Sequence, residues 1–294
     1  MRSLTAKAFA PGNISCIFVI RKNKNPAKSG SLGLGFTINK GAAVTIKKAI
    51  NSKERNKKTI KKIKKNKNII YFNNEKINFP TVNSVIEKLT KEKVIVNIKS
   101  ELPLGAGFGL SGASALATAY ALNKLLKLKK SKKELALIAH IAEVENLTGL
   151  GDVINQYYGG FLVKYKPSYM FKAEKLSIKN KLIHYRYFNG LDTKKVISNK
   201  KIKNKINKAG ISSLNKIKSL NKKDINLKKL IGISKEFSAG SGLLKNNKVK
   251  NAIKEIEKNN GNASMIMLGN AVFSDKKFRG SKKLIITDRG AHLL

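Results

Sequence analysis

The sequence predicts an α+β protein in two domains, on three observations. The chain has 294 residues, enough for two modest hydrophobic cores. Short strand-like alternations and longer helical periodicities both occur along it. The pattern loosens around Pro167, which places a boundary between about 165 and 190 and divides the chain into 1–170 and 171–294.

The elements follow in order. Ala6–Phe9 reads as a strand, Pro11-Gly12 as a turn and Cys16–Ile20 as a second apolar strand. Ser29–Gly35 is rich in Gly and Ser and reads as a loop, and Val44–Ile50 as another strand. Asn51–Asn68 is basic and of low complexity, as in a surface excursion. Thr81–Leu89 reads as a helix and Lys93–Ser100 as a strand. Helices follow at Ala113–Leu126 and Lys132–Asn146, the second with Ser131 placed to cap it. Gly149–Asp152 opens a short helix that ends at Gly159-Gly160, and Phe161–Tyr165 is a strand. The lysine-rich stretch Lys194–Leu230 has helical periodicity at Ile202, Ile206, Ile211, Leu214, Ile217 and Leu220. Asn251–Asn259 reads as a helix and Lys283–Thr287 as a final strand.

The most informative stretch is Glu101–Ala121. Gly105, Gly107 and Gly109 alternate behind Pro103 and lead into Ser111-Gly112-Ala113-Ser114 and an Ala-rich helix, with the strand Val94–Ile98 upstream. Glycines let backbone N–H groups approach phosphate oxygens, and the helix start adds unpaired N–H groups and the positive dipole end. The alternative is a tight strand-to-helix turn with no ligand; so many glycines ending in hydroxyls favour phosphate. A Walker loop would close on Lys-Ser/Thr, and this segment has no lysine. A dinucleotide fingerprint would carry an acidic residue about twenty positions on, where this chain is helical and then lysine-rich.

Composition narrows the function classes. Lys+Arg number 61 against 17 Asp+Glu, a formal net charge of +44. Such a balance raises nucleic-acid binding, but the lysines are spread among Asn and Ile, arginine is scarce, aromatics are 7%, and Trp is absent. Lys, Asn and Ile rising together point to coding bias that fills solvated faces, with salt-sensitive sticking to polyanions and no specific nucleic-acid recognition. Cys16 is the single cysteine, so no internal disulfide forms. The N-terminus shows no signal peptide and no apolar run spans a bilayer, so a cytoplasmic location and no membrane association are expected.

Pro103 to Ala113 resembles the P-x-G-x-G-L-G-S-S-A motif of the GHMP kinases (galactokinase, homoserine kinase, mevalonate kinase and phosphomevalonate kinase), with Leu110 in place of the first serine. Ala10-Pro11-Gly12-Asn13 matches their N-terminal Pro-Gly step. Ala8–Gly12, Gly30–Phe36, Gly107–Ala113, Thr148–Val153 and Ala263–Asn270 together resemble the archaeal pantoate kinases, so the resemblance covers the whole chain. It implies a first domain like ribosomal protein S5 domain 2 and a ferredoxin-like second one, with ATP in the cleft between them. It implies transfer of the γ-phosphoryl group of ATP to the 4-hydroxyl of pantoate, in coenzyme A biosynthesis, with Mg²⁺, by a homodimer.

The resemblance also distributes roles. Pro103, Gly105, Gly107, Gly109, Ser111, Gly112, Ala113 and Ser114 would cradle the ATP phosphates. His140 and Glu143 lie three apart on one helix face while Glu145 points elsewhere. A hard divalent ion takes oxygen ligands, which Ser111 and Glu143 offer, as the corresponding serine and glutamate do in the superfamily. Asp152 matches the aspartate that acts as base or orienter for the attacking alcohol, so Asp152, Glu143 and Ser111 form the catalytic set. Ser31, His140 and Lys164 are the substrate candidates, Lys164 facing the carboxylate. Mevalonate kinases carry a lysine after the first Pro-Gly where this chain has Asn13, so that lysine's role does not transfer. The third glycine motif is reduced to Gly261-Asn262-Ala263-Ser264-Met265, expected to close over the phosphates. The alternatives are a GHMP kinase acting on mevalonate, homoserine or shikimate, and a non-catalytic nucleic-acid binder on an S5-like fold, which would need none of Ser111, Glu143 and Asp152.

Overall fold

A proline and a glycine in an apolar run can mark a turn or a bulge, and here they lie opposite a bulge. In the computed structural model, which describes residues 5–49, 68–179, 181–189 and 200–294, strand β1 runs unbroken over Thr5–Arg21. It pairs antiparallel with β2 (Gly30–Lys48), and the register shifts at Pro11/Gly12 and again at Ser15/Ile17. At the first shift Asn39 and Lys40 of β2 have no partner in β1, and at the second Cys16 of β1 has none in β2, as in β-bulges. The Ser29–Gly35 loop expected from composition is instead the start of β2. Its glycines serve close backbone approach: Gly33 has φ +152°, and a Cβ there would lie 2.1 Å from the Ile17 carbonyl oxygen. Val44 belongs to the same strand rather than to a new one. The low-complexity stretch 51–68 lies outside the described residues except for its last position.

The first sheet continues through β3 (Ile69–Phe72), β4 (Glu75–Lys76) and β5 (Val94–Lys99), with β5 beside β2 and β3 parallel to β5. Between β4 and β5 the chain crosses as helix α1 (Pro80–Leu89), with Pro80 in the first turn where its missing N–H costs nothing. The other end of β2 pairs β6 (Phe161–Lys164), which in turn pairs β7 (Glu174–Leu176). Helix α2 (Leu110–Leu126) starts three residues before the expected Ala113. It is apolar nearly all round and buried between the sheet and its neighbours, α1 and α3 (Lys132–Glu145). Ser131 caps α3 in a reciprocal capping box with Glu134. Helix α4 (Asp152–Tyr158) follows.

A second, antiparallel sheet is built from β8 (Leu182–Asn189), β9 (Ala263–Ile266), β10 (Asn270–Ser274) and β11 (Lys282–Ile285), in the order β11-β8-β10-β9. Numbered along the chain that order is 4-1-3-2, the ferredoxin-like arrangement expected of this half. The lysine-rich region forms two helices, α5 (Lys200–Ser219) and α6 (Leu227–Gly240), and α7 (Asn247–Lys258) follows. Ile206, Leu214 and Ile217 face the core as their spacing requires, whereas Ile211 is 43% exposed. Lys282–Ile285 is not the last strand: β12 (His292–Leu293) returns to pair β1 in the first sheet. Residues 171–294 thus supply the whole second sheet and two short strands of the first. One apolar core joins the two sheets, with Phe36 against both Phe161 and Phe273 and Phe108 against Tyr185. Among the described residues no helix is long and apolar enough to cross a membrane.

Candidate active site at the glycine loop

The segment between β5 and α2 needs glycine at three alternate positions. Gly105, Gly107 and Gly109 have φ of +72°, +82° and +61°, which L side chains rarely adopt. At Gly107 a Cβ would lie 2.7 Å from the Met267 carbonyl oxygen, so the loop docks closely on the β9–β10 turn from the second sheet. At Gly105 a Cβ would meet nothing within 4 Å, because that residue faces an open cleft of about 370 Å³. Pro103, Gly105, Gly107, Gly109 and Ser111 line the cleft from one side and Leu268 from the other. Gly109 at the N-cap of α2 makes no side-chain cap bond to the first N–H groups of the helix. Gly112 lies in the first turn. The Ala113 N–H already donates to the Gly109 carbonyl, and Ser114 is fully buried among the helices, so these two anchor the helix rather than line the cleft.

Glu143 is completely buried, and neither carboxylate oxygen has a hydrogen-bond partner among the described residues. Burial, with the nearby Asp152 charge, pushes its pKa well above the usual carboxylate range. Gly112 and Gly149 flank it: a Cβ on either would come within 3 Å of its oxygens. An unpaired buried carboxylate is expensive unless a cation neutralises it. Ser111 stands at the cleft wall in a hydroxyl chain, donating to Thr81 Oγ1 at 3.2 Å, with Thr81 and Thr148 hydroxyls 3.1 Å apart. A hard hydroxyl and an orphaned carboxylate fit a divalent cation. Glu145, two residues on, is instead exposed and paired with Lys88 at 2.9 Å.

Asp152 opens α4 at the cleft wall. Its Oδ1 accepts from Asn13 Nδ2 at 2.6 Å and from Ser15 Oγ at 3.2 Å. Burial raises its pKa, while Lys164, Asn13 and Ser15 pull it back down. Lys164, from β6, donates to the Gly151 carbonyl at 2.9 Å and to Asn155 Oδ1 at 2.8 Å. Burial lowers its pKa to about 8, against the opposing pull of Asp152. Ser31 lines the same cleft wall; a Cβ at Gly151 would lie 2.3 Å from its hydroxyl. His140 does not line the cleft. It is fully buried behind it, with Nε2 2.9 Å from the Ser29 carbonyl oxygen.

The structure therefore brings Ser31, Asp152, Lys164, Ser111 and the three loop glycines to one cleft, with Glu143 immediately behind Gly112 and Gly149. Asn13, Ser15, Asn155 and Thr81 complete the surroundings and were not singled out by sequence. Two of them had a signal: Asn13 follows the Pro-Gly step, and Asn155 stands one helical turn after Asp152.

A two-sheet α+β fold with a glycine loop feeding an uncapped helix, closed by a turn from the other half, defines the GHMP kinase class. Residues 78–160 match the model of the GHMP kinases N terminal domain. The chain is 36% identical to the pantoate kinase of Methanocaldococcus jannaschii, covering 92% of each chain. It is 29% identical to the pantoate kinase of Methanospirillum hungatei, over 98% of this chain and 96% of that one. A solved phosphotransferase related to the CoA biosynthesis pathway superposes with a TM-score of 0.82 at 25% identity, over 98% of each chain. The chain belongs to the pantoate kinases, a family of ATP-using enzymes within the GHMP kinases.

Proposed function

We propose that this cleft transfers the γ-phosphoryl group of ATP to the 4-hydroxyl of pantoate, giving 4-phosphopantoate for coenzyme A biosynthesis. The observation that carries the reading is the meeting, in the cleft lined by the glycine loop, of a carboxylate, an ammonium and a hydroxyl from three different elements. Pantoate is a hydroxy acid, with an anionic end to be held and an alcohol to be activated. Lys164 has three N–H donors and uses two on Gly151 and Asn155, which leaves one for the substrate carboxylate. Ser31 offers a hydroxyl beside it. His140, bonded to Ser29, steadies the start of β2 that presents Ser31. Asp152 receives the proton of the attacking alcohol; its desolvated carboxylate is a stronger base than an exposed one.

The backbone amides of the glycine loop and the α2 N-terminus hold the phosphates. Ser111 and Glu143 would hold magnesium, which would neutralise charge on those phosphates. Positioning and electrostatics then account for most of the rate. The test is a coupled ADP-release assay with Mg·ATP against pantoate, mevalonate, homoserine and shikimate, beside Asp152→Ala. Turnover with pantoate alone, reduced at least about a hundredfold in the variant, is expected. Turnover with another acceptor would keep the site chemistry and change the substrate. No turnover with any of them would remove the kinase reading.

A further inference from the structure

Two asparagines join the groups that face the two ends of the substrate. Lys164 Nζ donates to Asn155 Oδ1 at 2.8 Å; Asn155 Nδ2 donates to Asn13 Oδ1 at 2.8 Å; Asn13 Nδ2 donates to Asp152 Oδ1 at 2.6 Å. The direction of this chain is dictated by its ends. An ammonium only donates and a carboxylate only accepts, so each amide in between has one possible orientation. Both asparagines are 1% exposed, and water does not compete for their amides.

The surrounding backbone leaves room for the chain at each link. A Cβ at Gly35 would lie 2.8 Å from Asn155 Nδ2, one at Gly109 would lie 3.2 Å from both the Asn13 Cβ and the Asp152 Cγ, and one at Gly151 would lie 3.1 Å from Lys164 Nζ. Asp152, Asn155 and Lys164 come from the consecutive elements α4 and β6, whereas Asn13 comes from β1, 142 residues before Asn155, so no local turn explains the two links that pass through it. Lys164 and Asp152 make no direct ion pair within 4 Å; the amides span the gap between them.

We propose that Asn155 and Asn13 are positioning residues that tie Lys164 to Asp152 as one rigid unit, so that the ammonium holding the acid end of the substrate and the carboxylate facing its alcohol keep a fixed spacing. The inference rests on the roles given above to Lys164 and Asp152. A chain of this kind fails as a whole when either amide is removed, because the remaining asparagine loses the partner that orients it.

The test is a double-mutant cycle on the full-length enzyme with Asn13→Ala, Asn155→Ala and the pair, reading kcat, both KM values and Tm. Each single variant is expected to lose about 10–100-fold in kcat with the ATP KM unchanged, and the double variant to be no slower than the worse single. Losses that multiply in the double variant, or a single variant within twofold of the parent, overturn the relay. Asn155→Asp guards against simple misfolding: it keeps an acceptor for Lys164 but removes the donor to Asn13, so Tm should hold while kcat falls as in Asn155→Ala. Retained kcat in that variant also overturns the proposal. Asp152→Asn in the same assay separates the two readings. If it stays active, the role of Asp152 fails and the relay with it; if it is inactive while the asparagine losses multiply, the relay alone fails.

Discussion

Glu143 and Glu145 stand two residues apart on α3 and meet opposite fates. Glu145 reaches solvent and pairs with Lys88, a contact worth little on an exposed face. Glu143 is sealed in with no hydrogen-bond partner among the described residues, an arrangement that lowers stability and that the proposed cation would offset. Glu143→Gln should therefore leave the Tm of the ligand-free protein unchanged or raise it by a few degrees, while abolishing the Tm increase given by Mg·ATP; differential scanning calorimetry checks both. Their contrast was legible from helical spacing, which set Glu143 and Glu145 on different faces. Lys164 carries a pH dependence. Its folded pKa of about 8 lies below the ordinary lysine value of 10.5, so the unfolded chain binds more protons between those values. The ligand-free protein should gain stability as pH rises through that window. Substrate binding runs the other way: above about pH 8 the ammonium is lost, and the KM for pantoate should rise toward tenfold per pH unit. A pH series of KM, with Lys164→Arg as the permanently charged comparison, reads this out.

At the scale of elements, the glycine loop separates two reasons for needing glycine. Gly105 has a positive φ but open space around it, so Gly105→Ala should cost about 1–2 kcal/mol. Gly107 adds a clash with the Met267 carbonyl, so Gly107→Ala should cost about 1–3 kcal/mol more, a difference that urea midpoints resolve. This loop, the capping box at Ser131 and the short helix at Asp152 were legible because each has a local cause written in adjacent residues. The β2 bulge opposite Pro11-Gly12 was not, since such a step serves a turn and a bulge equally well. The start of β2 was misread for a related reason: glycines that usually mark loops here let two strands close on each other. Strands β9 and β10 carry no alternation, being short and buried on almost every residue. Asn13 and Asn155 owe their partnership to strand and helix placement across more than a hundred residues, which no spacing rule reports.

Over the whole molecule, the net charge of +44 is set against a site that needs very few charges. The described ion pairs lie toward the surface, and among the described lysines only Lys164 lines the cleft. The cleft itself belongs to both halves of the molecule, since the Gly107 loop and the Met267–Gly269 turn close against each other. The end of the described chain takes part as well: Ala291 N–H donates to the Gln156 carbonyl at 2.8 Å, bracing the helix that bears Asp152. In the proposed reading, such a frame would hold one hydroxy acid in one direction, acid end toward Lys164 and primary alcohol toward Asp152 and the phosphates. Phosphorus NMR of the product formed from pantoate and Mg·ATP tests that claim most directly. Phosphate on the 4-hydroxyl sits on a CH₂ carbon and should give a triplet when coupled to protons. A doublet would place it on the 2-hydroxyl and reverse the substrate in the site, contradicting the account.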